Sequence, residues 1–130
     1  MMDHEKLLAC AAQARKNAYA PYSHFTVGAA LLADNGTVYG GCNVENASYG
    51  LTCCAERTAL YKAVSDGVRT FRAIAVVGGN EHEGAVTSCP PCGICRQALA
   101  EFCDDSFPVI LSDTTVTLGE LLPHAFRLSK

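Results

Sequence analysis

None of the 130 residues form part of an apolar run approaching the roughly 20 that a membrane-crossing helix needs, so no span is expected. The opening MMDHEKLLACAAQARKN lacks the basic n-region and small-residue cleavage pattern of a secretory leader, and a cytoplasmic location is expected on that reading. Positive charge is also in short supply: 10 Lys and Arg stand against 13 Asp and Glu, for a formal charge of −3. A surface that tracks phosphates needs the opposite balance, so nucleic acid is not an expected partner and a small neutral ligand fits better. No repeat, linker or low-complexity tract divides the chain. Its length suits a single domain, 1–130, with one buried core.

What the sequence has in plenty is cysteine, eight in all. Disulfide scaffolds are secreted, small and poor in apolar residues, whereas this chain is 49% hydrophobic. In a reducing compartment, clustered cysteines serve metal binding or catalysis, and scattered ones pack as small hydrophobes.

Helical spacing through Leu7, Leu8, Ala11, Ala14 and Ala18 predicts a helix over 3–19, capped by Asp3 and stopped by Pro21. FTVGAALLADNGTVYGGCNV reads as two strands joined at Asn35-Gly36, a dipeptide suited to the positive φ angles of a tight hairpin turn. CCAERTALYKAVSDG carries helical spacing through Ala55, Ala59, Leu60, Ala63 and Val64, with Gly67 as its stop. FRAIAVVGG is an apolar strand, PPCGICRQALAEFC a helix opened by Pro91 near its first turn, and FPVILSD a further buried strand. A short strand at TVTL and a helical turn or two in GELLPHAF finish the order. This alternation predicts an α/β fold, a three-layer α/β/α arrangement around a mixed sheet of roughly five strands.

Cys92 and Cys95 in CPPCGICRQ have the C-x-x-C spacing by which two sulfurs reach one metal from a helix start, or form a redox dithiol. The spacing alone leaves both open. Cys54 and Glu56, at the earlier helix start, offer a third sulfur and a carboxylate, which favours zinc. Residues two apart on a helix diverge by about 200°, so Cys54 has to sit at the cap for both to face one site, while Cys53, about 100° from its neighbour, points elsewhere. At such starts the free N–H groups and the positive end of each helix dipole favour thiolates and their metal-bound form. Three thiolates on Zn²⁺ leave a net charge of −1 and one open position, the pattern of a catalytic site. Arg57 is placed to donate to sulfur and offset that charge, and Glu56 to accept a proton from water. A closed structural zinc, with Cys53, Cys89 or Cys103 as fourth ligand, is the alternative, together with a dithiol redox protein.

Cys54-Ala55-Glu56, followed far downstream by Pro91-Cys92-Gly93-Ile94-Cys95, resembles the zinc-dependent nucleobase and nucleoside deaminases, whose signature is H-x-E with P-C-x-x-C and whose Cys₃ branch replaces the histidine. More narrowly, YAPYSHFTVGAAL, GCNVENASYG, CAERTAL, PCGICRQ and ELLPHAF, in that order over nearly the whole chain, are similar to the small homotetrameric cytidine deaminases. The resemblance implies a hydrolase of pyrimidine salvage that converts cytidine and 2′-deoxycytidine to the uridine products with zinc-activated water. It implies one Zn²⁺ per subunit held by Cys54, Cys92 and Cys95, Glu56 as proton shuttle and Arg57 hydrogen-bonded to ligand sulfur. It further implies Asn43 and Glu45 on the ribose hydroxyls, Phe25 packed on the nucleoside, the Ala55 backbone on the base, and Tyr49 and Phe126 reaching a neighbouring subunit's site in a homotetramer. Another cytosine-bearing small molecule is the alternative substrate.

One departure stands out: where that family has Ser or Thr before Pro-Cys, this chain has Pro90, preceded by Cys89. Proline keeps the carbonyl but removes the N–H and stiffens the loop, so activity is expected to persist. Cys10, Cys42, Cys53 and Cys103 are assigned to packing and Cys89 is left open. His4, His24, His82 and His124 carry no ligand spacing.

Overall fold

The structure, a computed structural model, describes residues 3–82, 84 and 87–130. Its centre is the hairpin of β1 (Phe25–Ala33) and β2 (Val38–Cys42), in register Gly28 to Cys42 through Leu32 to Val38. Three residues, 34–36, make the turn, closed by Ala33 N donating to Thr37 O at 2.9 Å. Gly36 alone takes a positive φ there, 90°, because Asn35 spends its side chain accepting from Thr37 N at 2.9 Å. The tight-turn expectation is thus met by a three-residue loop.

Along the other side of β1 runs β3 (Phe71–Asn80), antiparallel to it. β4 (Pro108–Ile110) pairs parallel with β3, and β5 (Thr115–Thr117) pairs antiparallel with β4, giving the order β2-β1-β3-β4-β5. This is the mixed five-stranded sheet that the element order predicts. Alternate residues go to opposite faces. Ala30, Leu32, Ala75, Val77 and Ile110 pack against Leu7 and Ala11 of helix α1 (His4–Arg15). Leu31, Ile74, Val76 and Val109 pack against Ala59, Leu60 and Ala63 of α2 (Ala55–Ser65) and Leu99 and Ala100 of α3 (Gly93–Ala100). Leu118, at the start of the single turn α4 (Leu118–Leu121), closes that second core.

Where the helices begin follows from the connections. Since β2 and β3 are both antiparallel to β1, they are parallel to each other, and α2 is the crossover between them; α3 is the crossover from β3 to β4. Both crossovers move the same way across the sheet, and one handedness therefore puts both helices on one face. A crossover helix runs back against its strands, so α2 and α3 both start at the carboxyl edge of the sheet.

Several boundaries differ from those expected. α1 ends at Arg15 rather than near residue 19, because Tyr19 leaves the helix to exchange backbone bonds with the chain beyond β2: Tyr19 N donates to Asn43 O at 3.0 Å and Glu45 N to Tyr19 O at 2.8 Å. Cys92 is the N-cap of α3, which places Pro91 outside the helix. α2 opens at Cys54 as its N-cap and stops before Gly67, whose φ is 90°. A 3-10 turn, Tyr49–Leu51, has no counterpart in the apolar pattern.

Two glycines let the helices approach this closely. A Cβ on Gly28 would lie 2.0 Å from Ala11 O of α1, and one on Gly41 would lie 2.5 Å from both Ala55 O and Ala59 N of α2. Gly41→Ala is accordingly expected to cost about 1–3 kcal/mol of folding stability through overpacking. It should appear as a lower urea midpoint at an unchanged denaturant slope, and an unaltered midpoint would contradict the contact.

Candidate active site

Cys54 and Cys92, the N-caps of α2 and α3, take extended backbone angles, and neither makes a side-chain cap to its own helix. Their sulfurs are therefore free to meet each other. Cys54 Sγ lies 3.6 Å from Cys92 Sγ, and Cys92 Sγ lies 3.6 Å from Cys95 Sγ, one turn into α3. All three sulfurs fall within 4.8 Å of one another, and among the described residues no further Cys, His, Asp or Glu joins them.

The set fits zinc. Tetrahedral bonds of about 2.3 Å put ligand sulfurs about 3.8 Å apart, close to the spacing seen, and three protein donors leave one position for a small ligand. The electrostatics agree. Hydrogen bonding to Cys95, aided by Arg57 and Cys92, pulls the Cys54 thiol down to about 5, while the same interaction with Cys54 and then burial push Cys95 up. Opposed shifts of this kind are expected where several thiols crowd a site made for a cation. Arg57 Nη2 donates to Thr52 O at 3.3 Å and Cys54 Sγ at 3.7 Å, on the sulfur side as the sequence predicts. Its Nε is buried without a hydrogen-bond partner among the described residues.

Glu56 is only 4% exposed, and burial, opposed by a bond from its own backbone, raises its carboxyl to about 7. It lines a cavity of about 170 Å³ together with Val27, Asn43, Thr52, Ala55, Cys89 and Pro90, next to Cys54 and Cys92. A buried carboxyl facing a cavity beside a metal-binding cluster is the arrangement of a proton shuttle.

Of the polar residues predicted to bind substrate, one lines this cavity and the other an adjoining one. Asn43 lines the Glu56 cavity, but its amide is largely engaged: Oδ1 accepts from Val27 N at 2.8 Å and Nδ2 donates to Phe25 O at 2.9 Å. One N–H and one lone pair remain. Glu45 lies in an adjoining cavity of about 410 Å³ with Tyr22, Ser23, Asn46 and Tyr49, and Thr52 lines both cavities. Its Oε1 accepts from Tyr22 N at 3.0 Å and Ser23 N at 3.1 Å, and its Oε2 from Ser23 Oγ, which together hold its carboxyl below the usual range. Phe25 begins β1 with its ring edge over Gly78, where an added Cβ would meet Phe25 Cε2 at 3.0 Å and Cys89 Sγ at 3.1 Å. Phe25 lines neither cavity among the described residues. Tyr49 and Phe126 point outward, 79% and 68% exposed, with Tyr49 edge-on to Tyr22 at 6.5 Å.

Sequence reasoning missed Tyr22, Ser23 and Thr52. The Pro21-Tyr22-Ser23 turn is a signal for backbone N–H groups free to hold a carboxylate, and it went unused. Of the remaining cysteines, Cys103 is buried in the core and Cys10, on α1, packs against the core between that helix and the sheet, while Cys53 Sγ accepts from Thr58 Oγ1 at 3.6 Å. Cys89, left open by the sequence, is a wall of the cavity, and burial pushes its thiol up to about 11.

Residues 1–111 match the family model described as the cytidine and deoxycytidylate deaminase zinc-binding region. The chain is 56% identical over 130 residues to a cytidine deaminase of Sporosarcina psychrophila, covering 96% of this chain and 92% of that protein. It is 52% identical over 130 residues to a cytidine deaminase of Halalkalibacterium halodurans, covering 96% and 95%. A crystal structure of cytidine deaminase from Burkholderia pseudomallei superposes with a TM-score of 0.87 at 48% identity, covering 96% of this chain and all of the other.

A three-sulfur site makes a clean separation between cysteines. After desalting, Cys89→Ala should retain one zinc per chain and Cys92→Ala should retain almost none, by metal analysis. Loss of zinc from Cys89→Ala would mean a fourth sulfur takes part.

Proposed function

The chain belongs to the cytidine and deoxycytidylate deaminase family, and we propose on that footing that it hydrolyses cytidine and 2′-deoxycytidine to the uridine products and ammonia. The observation that carries the proposal is the meeting of Cys54, Cys92 and Cys95 within 4.8 Å beside the buried Glu56. Residues 1–130 act as one catalytic domain. Cys54, Cys92 and Cys95 hold one Zn²⁺, which when bound supplies the Lewis acidity that makes a water nucleophilic near neutral pH.

Every remaining step belongs to the chain's own groups. Glu56 accepts a proton from the attacking water and delivers it to N3 of the pyrimidine as the water oxygen bonds to C4. It then takes the remaining proton from the C4 hydroxyl and delivers it to the exocyclic nitrogen, so that the C4–N bond breaks, ammonia leaves with the bonding electrons and the C4 carbonyl of the uridine product forms. Burial suits Glu56 to the task, since a carboxyl raised to about 7 both takes and returns a proton near neutrality. The backbone of Ala55, on the cavity wall, orients the base. Arg57 donates to Cys54 sulfur and draws charge from it, offsetting the excess negative charge of three thiolates.

The sugar falls to Asn43 and Glu45. The spare N–H and lone pair of Asn43, and the lone pair left on Glu45 Oε2, suit a hydroxyl that both donates and accepts. Phe25 packs on the nucleoside from the start of β1. The cavity around Glu45 is wide and open on this single chain, and Tyr49, Leu51, Ile94 and Phe126 are all more than half exposed. We assign those side chains to contacts between subunits of a homotetramer, with Tyr49 and Phe126 closing a neighbour's cleft. A cytoplasmic location fits this activity, and among the described residues no helix is long and apolar enough to cross a membrane.

Turnover is measured by the ultraviolet change as cytidine becomes uridine. Glu56→Ala is expected to keep its zinc and lose at least about 100-fold in kcat, the scale of a general acid–base contribution. A zinc-loaded, folded wild-type protein without turnover would end the proposal. For the subunit contacts, Phe126→Ala should raise KM several-fold and leave zinc content unchanged; a monomer by sedimentation with wild-type kinetics would remove the role given to Tyr49 and Phe126.

A further inference from the structure

The family match ends at residue 111, yet the helix that carries two of the three sulfurs is fastened by residues beyond it. Four side chains span the gap between α3 and residues 121–130. From α3, Arg96 Nη1 donates to Leu121 O at 2.7 Å and Gln97 Nε2 to Phe126 O at 2.8 Å. In the opposite direction, Arg127 Nε donates to Ala100 O and its Nη2 to Cys103 O, both at 3.1 Å, and Lys130 Nζ donates to Glu101 O at 2.6 Å. These last three acceptors are carbonyls at and just past the C-terminus of α3, the groups that a helix leaves unpaired and that carry its negative dipole end. Arg127 is itself steadied by Asp105 Oδ1 at 3.2 Å.

The other end of the helix is tied into the same network. Arg96, besides reaching Leu121, donates from Nε to Pro91 O at 2.7 Å, the carbonyl of the residue directly before Cys92. Force applied at the C-terminal segment therefore reaches the peptide that sets the Cys92 sulfur. α3 is only 8 residues long. A helix this short holds its axis through its surroundings rather than through its own hydrogen bonds.

We propose that residues 121–130 form a strap that positions α3 for metal binding, with Arg127 as its principal positioning residue. The proposal rests on the reading that Cys92 and Cys95 hold zinc. With the strap in place, both sulfurs of α3 stand at ligand spacing from Cys54 before the metal arrives; without it, the helix axis is free to tilt and the ligand set opens more often.

The test is zinc transfer from the full-length holoenzyme to a chromophoric chelator, followed well below the unfolding temperature. Arg127→Ala should release zinc about 10-fold faster than wild type, the lower end of the cost of losing an outer partner of a metal site. Arg127→Lys, which restores one donor, should lie between. Ile110→Val, a trim of the β4 core with no bond to α3, should release zinc at the wild-type rate at an equal or larger loss of thermal midpoint. Hydrogen exchange in the metal-free protein should show faster exchange at 95–100 in Arg127→Ala and not in Ile110→Val. Wild-type zinc release by Arg127→Ala, or equal acceleration by Ile110→Val, overturns the strap. If Arg127→Ala does not fold, Gln97→Ala makes the same comparison through the Phe126 bond alone. Wild type without bound zinc, or Cys92→Ala that keeps it, instead overturns the metal reading and is distinguishable from both.

Discussion

Two helices begin at the same point, and their first turns place three sulfurs 3.6 Å apart in successive pairs. Thiols that close repel one another once ionised, so the same contact that lowers the Cys54 thiol raises that of Cys95. A divalent cation removes the conflict. Arg57 and the N–H groups of two helix starts add positive potential on the protein side, which favours the ionised, metal-binding form of the sulfurs.

Topology explains why these helix starts coincide. The crossovers β2-α2-β3 and β3-α3-β4 travel in one direction over a shared strand, so the helices pack side by side and start at one edge. The hairpin delivers its own end to that edge: Phe25 starts β1 where β2 finishes, and Asn43 bridges the two by bonding Val27 N and Phe25 O. An amide so tied, and only 8% exposed, has little freedom left. Whatever it presents to the cleft is presented in one orientation. Gly41 matters for the same reason, since the missing side chain lets Ala55 and Ala59 settle on the sheet and brings the start of α2 down to the hairpin end.

Much of this was legible in the sequence because it depends on periodicity and on residues adjacent in the chain. Helix periodicity puts Cys54 at a cap, where it is found, and Cys53 outside the sulfur cluster, where its Sγ meets Thr58 Oγ1 while still lining the Glu56 cavity. The mixed sheet followed from the order of elements. Less legible were features set by long-range backbone pairing: α1 stops at Arg15 because Tyr19 is claimed by residues 43 and 45, which no local pattern announces. Pro91 was read into the first turn of α3 on propensity, whereas the demand that Cys92 face Cys54 moves the helix start past it. Ser23 and Tyr22 were missed since their contribution is mainly backbone N–H aimed at Glu45, and a sequence displays side chains.

The Cys89-Pro90 pair, where the chain departs from the expected motif, forms part of the cavity wall. The loop that carries it is anchored before and after: Thr87 donates from N and Oγ1 to Gly78 O at 2.7 and 3.2 Å, and Arg96 holds Pro91 O at 2.7 Å. Between these anchors, Pro90 and Cys89 face the cavity of Glu56, where an extra backbone N–H would need a partner to avoid the cost of burial. Proline has none to satisfy, and its fixed φ lowers the entropy lost when the loop orders. The carbonyls, which are the groups able to accept from a departing amine, are untouched by the substitution. A second proline beside Pro91 therefore stiffens a loop that must already be still, and it leaves in place the acceptors on which deamination would draw.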